Sequence, residues 1–154
     1  MTAAHRESLA DWLTLLGAGA LIASLFLTWS HQFSPSFLAA WGGSAALHGV
    51  PDDPTAWQVY GIVDLLLALL AVVLVLLALI GRRTARAIAF VACILALVFI
   101  VHALGHPPTN GTNIFDPASG TYVPNAPTSG GGEIVAIGAL ALAIAGLGVS
   151  FTAD

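Results

Sequence analysis

Charged residues are scarce in this chain, and lysine is absent. Only 8% of the 154 residues are charged, whereas 58% are hydrophobic. A soluble domain carries about 25% charged residues, with which it covers its surface. This chain lacks the side chains for such a surface, so we expect lipid to be its main solvent. The few arginines form no basic patch, which argues against nucleic acid as a partner.

Cysteine is equally scarce, because Cys93 is the only one. A single thiol excludes an intramolecular disulfide, and the sequence has no CxxC pair that would bind zinc. It also has no G-x-S-x-G, phosphate-binding loop or HExxH motif. These absences predict a chain that is not an enzyme and that carries no cofactor.

Four long apolar runs dominate what is present. They predict membrane-spanning helices over about 9–30, 55–80, 85–105 and 133–152. Each run is close to the ~20 residues that cross a hydrocarbon core. Helices are expected because every backbone polar group must be hydrogen-bonded within its own span. The predicted fold is therefore an all-α membrane protein, an antiparallel bundle of four transmembrane helices that forms a single domain over 1–154.

The arginines predict how this bundle is oriented. Arg82, Arg83 and Arg86 cluster between the second and third runs, while the connections 31–54 and 106–132 contain no basic residue. Basic residues concentrate on the cytoplasmic side of membrane proteins. Both termini are therefore predicted to be cytoplasmic and both long loops to lie outside. Together with the bias towards alanine, glycine and leucine, this arrangement indicates a bacterial cytoplasmic (inner) membrane.

Aromatic residues near the predicted membrane boundaries are expected to anchor the bundle at the lipid interface. These anchors are Trp12, Trp29, Trp41, Trp57 and Tyr60.

The second outer loop contains a hairpin signal. Asp116-Pro117 and Gly120 supply turn chemistry between two short β-prone stretches, which predicts a small outer hairpin pairing 113–115 with 121–123. Its proline- and glycine-rich flanks, including S-G-G-G at 129–132, are expected to be mobile.

One acidic residue is out of place in an apolar run. Asp64 lies about two turns inside the second predicted helix, where a carboxylate is costly and normally faces a partner inside the bundle. If the second and third helices are straight and antiparallel, His102 lies at the same depth. Ser24, Thr28 and Glu133 are the polar residues that would support this intramembrane pair.

Three interpretations of Asp64 and His102 compete. The sequence favours a hydrogen-bonded or ionic pair that fixes helix packing. The second interpretation is a proton relay, but the helices offer no polar path onward to the cytoplasm.

The third interpretation is a metal site at the outer surface. His102 and His106 are spaced four residues apart and can share a helix face, with an acidic oxygen as a further ligand. Gly105 and Pro107 are expected to end the helix before His106 is aligned. No metal is therefore predicted, and the two histidines stay the only candidates for one.

Small residues recur along the predicted helices, as they do where membrane helices contact one another. We expect these positions to pack inside the bundle, or else to contact a larger complex or a second copy. They are Gly17, Ala20, Gly61, Ala68, Gly138, Ala141 and Ala145.

Two stretches carry a resemblance to a family. S-L-F-L-T-W at 24–29 and A-W-Q-V-Y-G-I-V-D-L-L-L-A-L at 56–69 resemble uncharacterised four-span membrane proteins of actinobacterial type. Their first helix often ends F-L-P-W-Y, and a tryptophan with a following aspartate opens their second helix. Thr28 replaces the usual proline here, and Ser30 the usual tyrosine. The resemblance implies topology and no activity.

The sequence thus predicts a non-catalytic integral membrane protein, an accessory or assembly subunit of a larger membrane complex. Its expected partners are the lipid bilayer and another membrane protein or a second copy. The first alternative is a small transport or proton-handling subunit that uses Asp64 and His102. The second is a metal-binding protein at the outer surface.

Overall fold

A computed structural model describes residues 2–33, 53–80, 83–107, 113–116, 119–124 and 127–152. Of the predicted site residues, Trp41 and Arg82 lie outside these ranges. The described residues form α1 (Ala3–Ser24), β1 (Ser30–His31), α2 (Ala56–Val59), α3 (Ile62–Ile80), α4 (Arg83–Gly105), β2 (Asn113–Asp116), β3 (Thr121–Pro124), β4 (Thr128–Ser129) and α5 (Gly131–Ser150).

Three of the helices are long and apolar enough to cross a membrane. They are α3, α4 and α5, with 19, 23 and 20 residues. The chain is therefore a helical membrane protein. α1 has 22 residues but is not among these spans, because it is not apolar enough over their length. Its first half contains Arg6, Glu7 and Asp11. The apolar residues that follow Ser24 lie beyond its end. A fourth span stays a prediction.

α1 begins and ends earlier than the predicted helix 9–30. It begins early because the Thr2 side chain caps it, accepting a hydrogen bond from the His5 backbone N–H at 3.4 Å. It ends early because its last turn tightens, with the Leu27 N–H donating to the Ser24 carbonyl three residues back at 3.1 Å. Such bonds close a helix end, and the chain then turns into β1.

The second apolar run is not one helix. It breaks between α2 and α3, where Gly61 has a φ of +56°, a left-handed conformation that is costly for any residue with a side chain. The sequence predicted Gly61 as a helix-contact residue, but it is exposed and a Cβ there would meet nothing within 4 Å. Its backbone conformation is what requires glycine. Ala68, predicted on the same face, does pack against the core.

α1 and α5 run antiparallel and approach each other closely. A Cβ added to Gly17 would lie 2.7 Å from the Ala139 carbonyl oxygen and from the Ala143 amide nitrogen. A Cβ on Gly146 would lie 2.7 Å from the Ala10 carbonyl oxygen. Both contacts are tighter than a side chain permits, so these glycines set the distance between the helices.

The face of α5 that contacts α1 differs from the predicted one. Gly138, Ala141 and Ala145 are exposed on the outward face, whereas Ala139 and Ala143 are buried against α1. Small residues occur on every face of this helix, so their spacing alone does not select the contact face. On α1, Ala20 is half-buried beside the core.

The helices are arranged in the order α3, α1, α5, α4. α1 packs against both α3 and α5, and α4 packs against α5. α3 and α4 are consecutive in the chain but make few contacts. An apolar groove of about 400 Å³ separates them, with Val63 and Phe99 at one end.

One end of the bundle, the arginine end, holds Arg6, Arg83 and Arg86. The Arg86 guanidinium pairs with the Asp11 carboxylate at 3.0 Å and joins α4 to α1. Arg6 donates to the Thr152 carbonyl at 3.1 Å. The start of α1 and the end of α5 therefore lie at the same end of the molecule.

The opposite end, the tryptophan end, holds Trp29, Tyr60 and β1 with β4. β1 and β4 pair antiparallel, with Ser30 opposite Ser129 and His31 opposite Thr128. β2 and β3 form a second antiparallel pair, with Asn113 opposite Pro124. This pairing includes the residues for which the sequence predicted a hairpin, and Gly120 between the strands has a φ of +68°.

Candidate functional site: a buried acidic cluster

Trp29 is held between two distant parts of the chain at the tryptophan end. Its backbone N–H donates to the Pro54 carbonyl at 3.0 Å, and its carbonyl accepts from the Gly130 N–H at 2.8 Å. One residue earlier, the Thr28 carbonyl accepts from the Gly132 N–H at 2.7 Å. These bonds tie the end of α1 to the starts of α2 and α5.

The Trp29 side chain is fully buried, so it is not the interface anchor that the sequence predicted. Its indole N–H donates to the Ser24 carbonyl at 2.7 Å. The indole lies against Gly132, where an added Cβ would be 2.6 Å from the indole nitrogen. The S-G-G-G segment, which was expected to be mobile, is therefore packed, because its glycines make room for Thr28 and Trp29.

The other predicted anchors differ in exposure. The exposed fractions of Trp12 and Trp57 are 62% and 38%, and their position at the lipid interface stays a prediction. Tyr60 is half-buried, and its ring contacts Trp29 and Phe99 edge-on at centroid distances of 5.6 Å and 5.9 Å.

Asp64 lies in the first turn of α3 and is fully buried. Neither carboxyl oxygen has a hydrogen-bond partner. The backbone amides of Tyr60 and Gly61 lie close enough to act on the carboxyl, but they are not aligned as hydrogen bonds. Helix N-termini favour negative charge, so the break at Gly61 brings the positive end of α3 to this side chain.

Glu133 repeats this arrangement in the first turn of α5. It too is fully buried, and its carboxyl oxygens also have no hydrogen-bond partner. The Tyr60 hydroxyl is a third buried group without a partner. Asp64 and Glu133 both lie near enough to this hydroxyl for a charge on either carboxyl to act on it. We call Tyr60, Asp64 and Glu133 the buried acidic cluster.

His102 is not part of this cluster. Its side chain is exposed, and its ring stacks on His106 at a centroid distance of 4.6 Å. Phe99 on α4 lies near Tyr60 and Val63, so the level of Asp64 falls about one turn short of His102. The predicted pair is not formed, because α3 and α4 are separated by a groove and His102 faces outward.

The predicted supporting residues take different roles. The Ser24 hydroxyl donates to the Leu21 carbonyl of its own helix at 2.7 Å. Thr28 forms a β-bridge with Thr55. Of the three supporting residues, Glu133 alone contributes a group to the cluster.

The cluster has acidic groups without a basic partner. An ion pair between helices, which joins Arg86 to Asp11, lies at the arginine end. Within the described ranges, no three potential metal ligands lie together. The carboxyl and phenol oxygens expose less than 1 Å² each to a water-sized sphere. A proton fits beside these oxygens as they stand, whereas a water molecule or hydrated ion does not.

Compared with protein-family models, with curated proteins and with solved structures, the chain gives no significant match. The resemblance to four-span proteins of actinobacterial type stays a prediction. The fold and the site define a class only, a helical membrane protein with an acidic cluster buried at one end of its bundle.

From the sequence, Glu133 was expected to support the pair of Asp64 and His102, and Tyr60 was expected at the lipid interface. One signal links Glu133 to Asp64, since each acid lies at the start of a long apolar run without a nearby basic residue. Nothing in the sequence shows that both acids are buried at the same end of the bundle, because that depends on how Trp29 joins residues 54 and 130.

Proposed function

We propose that this chain is a non-catalytic membrane protein that binds and releases protons at the buried acidic cluster, as a proton-handling subunit. The observation that carries the proposal is that Asp64 and Glu133 are both fully buried without a hydrogen-bond partner. Ionisable residues inside membrane domains mark proton or ion sites by default. Glu133 takes the role that the sequence assigned to His102.

The charge state of the cluster follows from its surroundings. An ionised carboxylate removed from water and left unpaired is costly by several kcal/mol, so such a group is held as the neutral acid. Releasing its proton therefore requires a change that lets in water or a cation. That requirement couples proton release to opening of the tryptophan end.

Access to the cluster is proposed from the tryptophan end alone. Towards the arginine end, the interface of α1 and α5 is closed by the contacts of Gly17 and Gly146 with the opposite helix. The Thr14 hydroxyl in this interface is already bonded to the Ala10 carbonyl at 2.8 Å. A site open to one side does not transport by itself, which favours a subunit that senses or exchanges protons on that side.

Infrared difference spectroscopy of the protein in nanodiscs tests this proposal. A protonated carboxyl has a carbonyl stretch that an ionised carboxylate lacks. We expect a protonated band at neutral pH that decreases as the pH is raised. Asp64→Asn and Glu133→Gln should each remove part of this band, and the double variant should remove all of it.

The matched control is Asp53→Asn, which changes an exposed carboxyl at the same end that pairs with His31 at 2.6 Å. This variant should keep the whole titrating band. A wild-type spectrum without a protonated band, or a band that survives in the double variant, contradicts the proposal. A lower thermal midpoint without spectral change would instead support a packing role.

The proposed membrane arrangement has four spans, with α1 as the first. It is supported by the close antiparallel packing of α1 along α5. The arginine end and both termini lie in the cytoplasm of a bacterium, and the paired strands lie outside the inner membrane. The support for this orientation is the positive-inside tendency of arginine.

A second candidate function is that of an accessory subunit in a larger membrane complex. It is favoured by the outward face of α5, where Gly138, Ala141 and Ala145 are exposed and would permit another helix to approach closely. Extraction in mild detergent followed by pull-down should recover a stoichiometric partner. Ala141→Leu should release that partner, and isolation as a lone monomer would reject this function.

A further inference from the structure

The end of α4 brings two histidines together. α4 ends at Gly105, but the His106 N–H still donates to the His102 carbonyl at 3.1 Å. The same N–H also donates to the Ala103 carbonyl at 3.0 Å, a shared bond that is common at helix ends, so the backbone follows the last turn of α4 as far as His106. The two rings lie 4.6 Å apart between centroids, with their planes inclined by 24°. The alignment that Gly105 and Pro107 were expected to prevent is present.

The hydrogen bonding of His106 fixes which ring nitrogen is free. Its Nδ1 lies 3.2 Å from the His102 carbonyl oxygen. A carbonyl oxygen only accepts, so Nδ1 carries a hydrogen, and in the neutral imidazole Nε2 then keeps a lone pair. Metal-binding histidines commonly donate their second nitrogen to a backbone carbonyl in this manner, which orients the ring.

The rings of His102 and His106 are accessible from outside the bundle, and among the described residues, contacts other than those above do not hold them in place. Both side chains are exposed. In the part of the chain that the structure describes, no hydrogen bond engages the His102 ring, and His106 Nε2 has no partner. The two side chains are therefore able to rotate, and binding one ion requires a rotation that directs one nitrogen of each ring to a common point.

We propose that His102 and His106 form a surface binding site for a divalent transition-metal ion that prefers imidazole ligands, such as Cu²⁺ or Zn²⁺. Each imidazole occupies one coordination position, and water completes the shell. Among first-row divalent ions Cu²⁺ binds nitrogen ligands most strongly. The proposal is independent of the buried acidic cluster, whose carboxyl oxygens are enclosed.

The site is tested by titrating the tag-free protein in nanodiscs with Cu²⁺. Pulsed electron paramagnetic resonance then counts the imidazoles that are bound to the ion. Wild type should show two imidazoles at the first equivalent of metal. His102→Ala and His106→Ala should each show one. Each change should also weaken binding roughly tenfold or more, because the second ligand is no longer held beside the first.

Three matched controls are His5→Ala, His31→Ala and His48→Ala, which remove the remaining histidines one at a time. All three should bind Cu²⁺ with two imidazoles and with the wild-type affinity. A wild-type signal from one imidazole overturns the proposal. So does a two-imidazole signal that survives His106→Ala, or one that is lost in a control variant. Because both side chains are exposed, the alanine variants are expected to fold.

Discussion

Tyr60 combines two opposite contributions to stability at a single residue. Its ring is packed between Trp29 and Phe99, while its buried hydroxyl has no hydrogen-bond partner. Ring packing stabilises the fold, whereas an unpaired buried hydroxyl is destabilising. Substitutions of this residue separate the two contributions.

We predict that Tyr60→Phe leaves the free energy of unfolding unchanged or raises it by up to about 1 kcal/mol, since an unpaired hydroxyl is lost. Tyr60→Ala should lower it by about 3–5 kcal/mol, because the ring contacts are lost as well. Denaturant titration in mixed micelles measures both. A loss above about 1 kcal/mol in Tyr60→Phe would show that the hydroxyl bonds to a carboxyl of the cluster.

Gly132 offers a second residue-scale test, because it lies beneath the Trp29 indole. An added Cβ there would be 2.6 Å from the indole nitrogen, whereas a Cβ on the neighbouring Gly131 would meet nothing within 4 Å. We expect Gly132→Ala to destabilise the protein by about 1–3 kcal/mol through overpacking. The matched Gly131→Ala should change stability by less than about 0.5 kcal/mol.

Thermal unfolding followed by tryptophan fluorescence measures this pair of variants. Gly132→Ala should also shift the emission, because it displaces the buried indole of Trp29. Equal stability of the two variants would contradict the position of Trp29 in the structure.

At the scale of elements, α1 and α5 form the central pair of the bundle. Lipid is as apolar as the side chains, so close backbone approach drives association of membrane helices more than apolar burial does. The glycines that permit this approach are Gly17 and Gly146. Gly138 and Gly148 lie on the same helix as Gly146 but lack such a contact. A Cβ on either of them would meet nothing within 4 Å.

We therefore predict opposite effects for two alanine substitutions in α5. Gly146→Ala should destabilise the bundle by about 1–3 kcal/mol, because the new methyl group overlaps Ala10 and Thr14 of α1. Gly148→Ala should leave stability unchanged or raise it by up to about 1 kcal/mol through helix propensity. Refolding equilibria in mixed micelles measure the difference, and similar losses in both variants would argue against this helix contact.

At the scale of the whole molecule, the proposed orientation makes one end of the bundle accessible from outside the cell. Cys93 is buried and can be replaced by alanine to give a background without a thiol. A cysteine at Ala3 reports on the arginine end, and one at Asp53 reports on the tryptophan end. Both positions are exposed.

A membrane-impermeable maleimide should label Asp53→Cys in intact spheroplasts. It should label Ala3→Cys only after the membrane is permeabilised. Labelling of both positions in intact spheroplasts would show that α1 does not span the membrane. The reverse pattern would invert the proposed topology.

The sequence by itself determined the solvent and most of the helices. A composition with 8% charged residues and 58% hydrophobic residues predicts burial in lipid, and long apolar runs in lipid must be helical to satisfy their backbone. Hydropathy therefore predicted both bounds of α4 and α5 within two residues and the end of α3 at Ile80, but it placed the start of α3 seven residues too early. It did not predict the break at Gly61, because a positive φ changes no local hydropathy.

Only the tertiary structure decided which polar residues meet. Asp64, Glu133 and Tyr60 are buried at the tryptophan end while His102 is exposed, because residues 28–31 join the starts of α2 and α5 and because α3 and α4 are separated by a groove. Trp29 is buried for the same reason. Such contacts join residues far apart in the chain and follow no local period, so composition and spacing do not contain them.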